Sequence, residues 1–131
     1  FDMNMVFAPT AMRFATGTPN IAGIHAARAG IEMVAKVGVK RIREKSVFFT
    51  SKLIEFALED GLKVNSPIDP EKRSGLVCID FPGADKAERK LLDKGFQVDY
   101  RPKCGLRLSA HFYTRLDEFL SILPEIKKLR K

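Results

Sequence analysis

The sequence predicts an α+β fold, a two-layer sandwich in which a small, mostly antiparallel sheet carries helices on one face. Two long segments, residues 19–37 and 39–60, repeat apolar residues three and four apart, the spacing that gathers them on one side of a helix. Two short ones, LVCIDF (76–81) and GLRLS (105–109), alternate with a period of two, so each strand has one face for a core. Helices with one stripe to cover and strands with one face to cover satisfy each other in two layers.

The elements follow in order. Residues 1–18 carry large apolar side chains with neither period and read as an extended interface segment. Thr18 is placed to cap the first helix, with Pro19 as its first residue, because proline brings a fixed φ and lacks only an N–H that has no helical partner there. Ile24, Ala27, Ile31 and Val34 mark one face of that helix. After Gly38, the series Val39, Ile42, Ser46, Phe49, Leu53 and Phe56 marks a second helix, closed by Gly61. Lys63 to Asn65 can add an edge strand, and SPIDPEKRSG (66–75) is a polar loop. The strand 76–81 comes next, with Leu76, Cys78 and Asp80 on one side and Val77, Ile79 and Phe81 on the other. A short helix over 84–94, a strand over 96–100, a turn at 101–103 and a strand over 105–109 complete the sheet. Thr114 is the expected cap of a last helix burying Leu116, Phe119, Leu120, Leu123 and Ile126, kinked or restarted at Pro124. Residues 19–131 thus form one small domain.

At 131 residues the chain suffices for one modest core. The net charge of +7 invites a nucleic-acid partner, yet the positive residues are scattered and no nucleic-acid motif accompanies them. No run reaches the roughly 20 apolar residues that cross a bilayer, and no signal-peptide pattern is present, so the expectation is a cytoplasmic protein with neither nucleic acid nor membrane as partner. Cys78 and Cys104 read as buried free thiols in a reducing compartment, without companions at metal-ligand spacing. No metal set and no Ser-His-Asp or Cys-His set can be assembled, which argues against nucleophilic catalysis within the chain.

Two places can hold anions. In FATGTPNIAG (14–23), Gly17 lets the backbone approach closely and Thr18 adds a hydroxyl at a helix start, a geometry for phosphate that is equally that of a simple capped helix. In GLRLSAHFYT, Arg107 points away from Leu106 and Leu108 and can offer a planar fork to a carboxylate, or sit in an ordinary ion pair. Arg101, His111 and Asn20 are secondary candidates for lining such a site.

These two stretches bring a resemblance with them. RFATGTPNIAGIHAARAGIEMV (13–34) resembles the start, and DYRPKCGLRLSAHFYTRLDEF (99–119) the end, of the C-terminal small domain in class V pyridoxal-phosphate enzymes, the desulfurase-like and kynureninase-like members of fold type I. The similarity runs in order along nearly the whole chain. It implies a large cofactor domain N-terminal to the present residues, holding pyridoxal 5'-phosphate on a Schiff-base lysine that lies outside this sequence. Lys36, Lys40 and Lys45 do not resemble that lysine's segment. The resemblance further implies that Arg107 binds the carboxylate of an amino-acid substrate and that Gly17 and Thr18 reach the cofactor phosphate across a homodimer interface. The expected function is that of a class V aminotransferase acting on an α-amino acid. A kynureninase-like hydrolase, or a non-enzymatic anion-binding module, is the alternative. With Phe1 rather than methionine at its start, the chain reads as a piece of a longer protein, inactive without its cofactor domain.

Overall fold

The computed structural model describes residues 4–130. It divides into two compact units, with the boundary in the chain between Val37 and Gly38.

The first unit contains a 3-10 turn, Ala11–Phe14, and the helix α1, Ile21–Val37. Helix α1 begins two residues later than Pro19. The cap is Asn20, whose side-chain Oδ1 accepts from the Gly23 N–H at 2.9 Å while its carbonyl accepts from Ile24 N–H at 2.9 Å. Asparagine is among the strongest N-cap residues, and it displaces Thr18 from the role expected of it. Thr18 and Pro19 therefore lie in the approach to the helix. None of the residues of α1 is buried, and Ile24 and Ile31 remain 58% and 67% exposed.

The second unit is the sandwich. Helix α2, Val39–Glu59, leads into β1, Lys63–Val64; β2, Leu76–Asp80, follows; then come α3, Ala84–Asp93, β3, Asp99–Arg101, β4, Gly105–Ser109, α4, Leu116–Leu120, and α5, Ile122–Leu129. The four strands lie in the order β1-β2-β4-β3, every neighbouring pair antiparallel. The α+β expectation, down to the two-residue edge strand β1, holds.

Register settles which side chains share a face. Val77 pairs with Leu108 and Ile79 with Leu106, while Cys78 pairs with Arg107 and Arg107 with Asp99. Val77, Ile79, Leu106 and Leu108 are at most 3% exposed and join Phe49, Leu53, Leu91, Phe119 and Ile126 of the helices in one core. Burying aliphatic side chains of this kind is worth about 1.5–3 kcal/mol each, so the apolar face dictates the register: a one-residue slip would turn Arg107 and Cys78 into the core. The opposite face carries Lys63, Asp80, Asp99, Arg101, Arg107 and Ser109, half-buried or exposed, with Cys78 buried among them.

Two details depart from the sequence reading, and a third, the restart of the last helix at Pro124, follows it. On α2 the buried stripe is Phe49, Thr50, Leu53, Ile54 and Ala57, and Phe56 is 44% exposed. Positions 50, 54 and 57 continue the stripe around the helix, which leaves Phe56 at its margin. Arg115 rather than Thr114 caps α4, its backbone N–H donating to Glu118 Oε2 at 3.3 Å; the Thr114 hydroxyl instead accepts from His111 N–H at 3.1 Å. Pro124 sits in the first turn of α5, where the missing N–H costs no helical bond, so the chain restarts at Ser121 without a clash. Gly61, as expected, ends α2 in a left-handed conformation with φ of 69°, and Leu62 N–H closes the turn on Ala57 O at 2.8 Å.

Candidate functional site

The site is built on the polar face of the sheet by the β3–β4 hairpin. Its turn needs an unusual backbone. Cys104 N–H bonds to Arg101 O at 3.0 Å, Pro102 supplies the first central residue, and Lys103 takes a positive φ of 66° as the second. Gly105 follows at φ of 93°, and a Cβ built there would lie 2.4 Å from the carbonyl oxygen of Ile79. Only glycine lets β4 run this close to β2, and the next outward position on β4 is Arg107.

Arg107 is half-buried, its side chain 36% exposed. Its guanidinium already grips a carboxylate. Nε donates to Asp99 Oδ1 at 2.8 Å and Nη2 to Asp99 Oδ2 at 2.6 Å, a bidentate pair between register partners on β3 and β4. Arg101 Nε adds a third donor to Asp99 Oδ2 at 3.0 Å. Asp99 thus occupies the Nε edge of Arg107 through Nε and Nη2.

The electrostatics agree. The hydrogen bond from Arg107 holds the Asp99 carboxyl below the usual carboxylate range, and the Asp99 hydrogen bond raises the Arg107 pKa further still. Because the folded-state value of Asp99 is depressed, the stability it contributes is complete above the unfolded value near 3.9 and is lost as pH falls through the folded one. A carbon-13 titration of the Asp99 carboxyl is expected to show a midpoint below about 3.9, moving up toward that value in Arg107→Met. An unchanged midpoint in the variant would mean that the ion pair does not persist in solution.

The structure places the remaining sequence candidates as follows. Arg101 belongs with Arg107. His111 does not: its ring stacks on Tyr113 with centroids 5.1 Å apart, and it lines a separate cleft of about 410 Å³ with Phe96, Val98, Ser109 and Phe119, a wall that does not include Arg107. Gly17 and Thr18 stand in a bend before α1; nothing lies within 4 Å of a Cβ built on Gly17, and Thr18 is exposed, so the backbone there is open to an anion. Asn20 is committed to the helix cap. Among the lysines, Lys45 donates to Phe112 O at 2.7 Å and lies over the Phe49 ring, a structural post.

Sequence reasoning passed over Asp99 as a partner and Arg73 altogether. Arg73 is 7% exposed and donates to Thr50 Oγ1 at 3.2 Å, to Ser51 Oγ at 2.6 Å and to Ile68 O, fastening the 66–75 loop to α2; burial pushes its pKa down. An arginine inside a polar loop gives no periodic signal of this.

With the hairpin, its glycine and its arginine in place, the comparison with known proteins is decisive: the kynureninase C-terminal domain family matches residues 42–123, from α2 through the Arg107 strand into α5. The chain belongs to this family. It is the C-terminal domain of a class V pyridoxal-phosphate enzyme. Kynureninase of Bacillus thuringiensis subsp. konkukian is 29% identical over all of the chain and 32% of the relative, and kynureninase of Geobacillus thermodenitrificans is 29% identical over 98% of the chain. An uncharacterised aminotransferase of Bacillus subtilis, YcbU, is 30% identical over 92% of it. In structure, an apo cysteine desulfurase of Thermococcus onnurineus superimposes with a TM-score of 0.80 at 25% identity, covering 92% of the chain and 34% of the desulfurase. The kynureninase-family domain described here spans about a third of the length of the curated relatives it matches. Gly17 and Thr18 lie ahead of the segment that the family model covers.

The donors fit the ligands of such an enzyme. Arg107 already shows bidentate carboxylate geometry, and the open backbone with a free-standing hydroxyl at Gly17 and Thr18 suits a phosphate. No helix is long and apolar enough to cross a membrane among the described residues.

Proposed function

We propose that this kynureninase-family domain grips the carboxylate of an α-amino acid for a pyridoxal-phosphate enzyme and closes one side of its active site. The observation that carries the reading is the Arg107 fork, fixed along one edge by Asp99 and with its side chain 36% exposed. A planar guanidinium held in one orientation takes a second carboxylate in one plane, which fixes the rotation of the amino acid about its Cα and selects the bond presented for cleavage. The cofactor, when bound, supplies the electron sink for that cleavage. Arg101 keeps positive charge beside the fork and offsets Asp99, so an anionic substrate meets a net cation. Gly17 and Thr18 are proposed to add an N–H and a hydroxyl to the cofactor phosphate across a homodimer interface.

Exposed apolar side chains support the need for further chain. Met5, Val6, Phe7 and Phe14 are 67% to 84% exposed, and α1 buries none of its residues. Such surface is unusual on a protein that works alone. The expected interface segment at residues 1–18, the first three of which lie outside the described residues, with a large cofactor domain and a second subunit as partners, accounts for it.

Two reactions use this grip. Transamination of an α-amino acid is the reading that the YcbU likeness favours. Hydrolysis of kynurenine to anthranilate and alanine is favoured by the family model and the kynureninase relatives. The full-length protein, supplied with pyridoxal phosphate, kynurenine and a keto-acid acceptor, separates them: fluorescent anthranilate appearing with one alanine per turnover supports hydrolysis, and consumption of the keto acid without anthranilate supports transamination. An anion that binds the chain with no need of a cofactor domain, and no turnover of any amino acid, would sink both.

A further inference from the structure

The polar face of the sheet also holds two thiols that the carboxylate grip does not use. Cys78, in the middle of β2, is 7% exposed; Cys104, half-buried, ends the β3–β4 turn. Their sulfurs are 2.9 Å apart, with the Cys104 thiol donating to Cys78 Sγ. Both cysteines are free, and 26 residues of sequence separate them, so tertiary structure alone brings them together.

The pair is held by the segment that follows β1. Asn65 Nδ2 donates to Cys104 O at 2.9 Å, Asn65 N–H donates to Cys78 O at 2.9 Å, and Cys78 N–H donates to Ser66 Oγ at 2.9 Å. One two-residue segment thus clamps the backbone of both cysteines. No third histidine, cysteine, aspartate or glutamate completes a metal-binding group with them among the described residues. A disulfide bond is about 2.05 Å long, so the sulfurs need to close by less than roughly 1 Å.

We propose that Cys78 and Cys104 are a redox-modification site, a paired dithiol that a hydroperoxide converts into a reversible intramolecular disulfide beside Arg107. The more accessible Cys104 reacts first. As thiolate its sulfur attacks the near oxygen of the peroxide, the O–O bond breaks, and the far oxygen leaves with a proton as water or alcohol. Cys78 sulfur then displaces the oxygen from Cys104 as a second water, giving up its own proton as the S–S bond forms. The two thiols lose two hydrogens and the peroxide is reduced; a dithiol reductant reverses the change. Burial pushes the Cys78 thiol pKa up, which leaves the first attack on the peroxide to Cys104.

The test uses the full chain treated with stoichiometric hydrogen peroxide, unfolded in the presence of an alkylating agent, and mapped by mass spectrometry without reduction. The expected product is a monomer lighter by two hydrogens, with both alkylation sites lost together, a Cys78–Cys104 linked peptide and full recovery in dithiothreitol. In Cys104→Ser, which changes the less buried partner, Cys78 should oxidise at least about tenfold more slowly while circular dichroism stays native. Two thiols that remain alkylatable, a Cys104 that proceeds to sulfinic acid with Cys78 intact, or linkage only between chains would each overturn the assignment. None of these outcomes depends on the amino-acid reading of the fork.

Discussion

Gly105→Ala is expected to destabilise the domain by at least about 3 kcal/mol, out of the 5–15 kcal/mol that a domain of this kind possesses. Two costs combine. At φ of 93° an L-residue is strained, by roughly 1–2 kcal/mol. The new methyl would also lie 2.4 Å from Ile79 O, 2.8 Å from Ile79 C and 2.9 Å from Asp80 Cβ. Two of these three atoms are backbone in β2, the strand paired to β4, and cannot step aside as the end of a long side chain can. A denaturant midpoint lowered with an unchanged slope, or a melting temperature lower by more than about 12 °C, is the result to look for. Gly30→Ala supplies the contrast, since no atom lies within 4 Å of a Cβ there and the position is mid-helix, where alanine gains up to about 1 kcal/mol. A Gly105→Ala protein as stable as the parent would show that β2 and β4 do not approach as described.

The second large effect is on binding. In the full-length protein, Arg107→Ala is expected to lower kcat/KM for the amino acid by about a hundred- to a thousandfold, a loss of roughly 3–4 kcal/mol consistent with removal of two charge-assisted hydrogen bonds. Arg107→Lys keeps the charge but not the fork, and should recover only part of that loss. Cofactor retention should hardly change in either variant. If pyridoxal phosphate is lost instead, with KM for the amino acid unaltered, Arg107 serves the phosphate and the carboxylate assignment fails. Asp99→Asn sharpens the reading, because it keeps the shape of the Nε-edge partner while removing its charge.

Much of this was legible before any coordinates. The period-two stretch LVCIDF and the outward position of Arg107 follow from alternation alone, and β2 and β4 obey both. Gly61 and the edge strand β1 were readable for the same local reason: turn chemistry and short apolar runs act over a few residues. What alternation cannot supply is which strands become neighbours. The pairing of β2 with β4, across α3 and β3, is what sets Cys78 against Arg107 and brings Cys104 to Cys78, and neither thiol carries a sign of the other in its own sequence surroundings. Caps were misplaced for a different reason. Thr18, Pro19 and Asn20 all favour a helix start, as do Thr114 and Arg115 with Glu118, and the competition between adjacent hydrogen-bonding side chains is settled by a geometry finer than residue type. Asp99 was missed because an acid two residues before an arginine looks like no more than a local partner of Arg101, which it is, while the hairpin also brings its carboxylate across to Arg107.

The brevity of the outermost strands has its own consequence. β1 offers two residues and β3 three, and lysine, aspartate and arginine stand on them. A foreign strand that tried to extend the sheet would find too few hydrogen-bonding groups to latch on to and would crowd against fixed charge. Margins this short and charged disfavour growth of the sheet from one copy of the domain to the next.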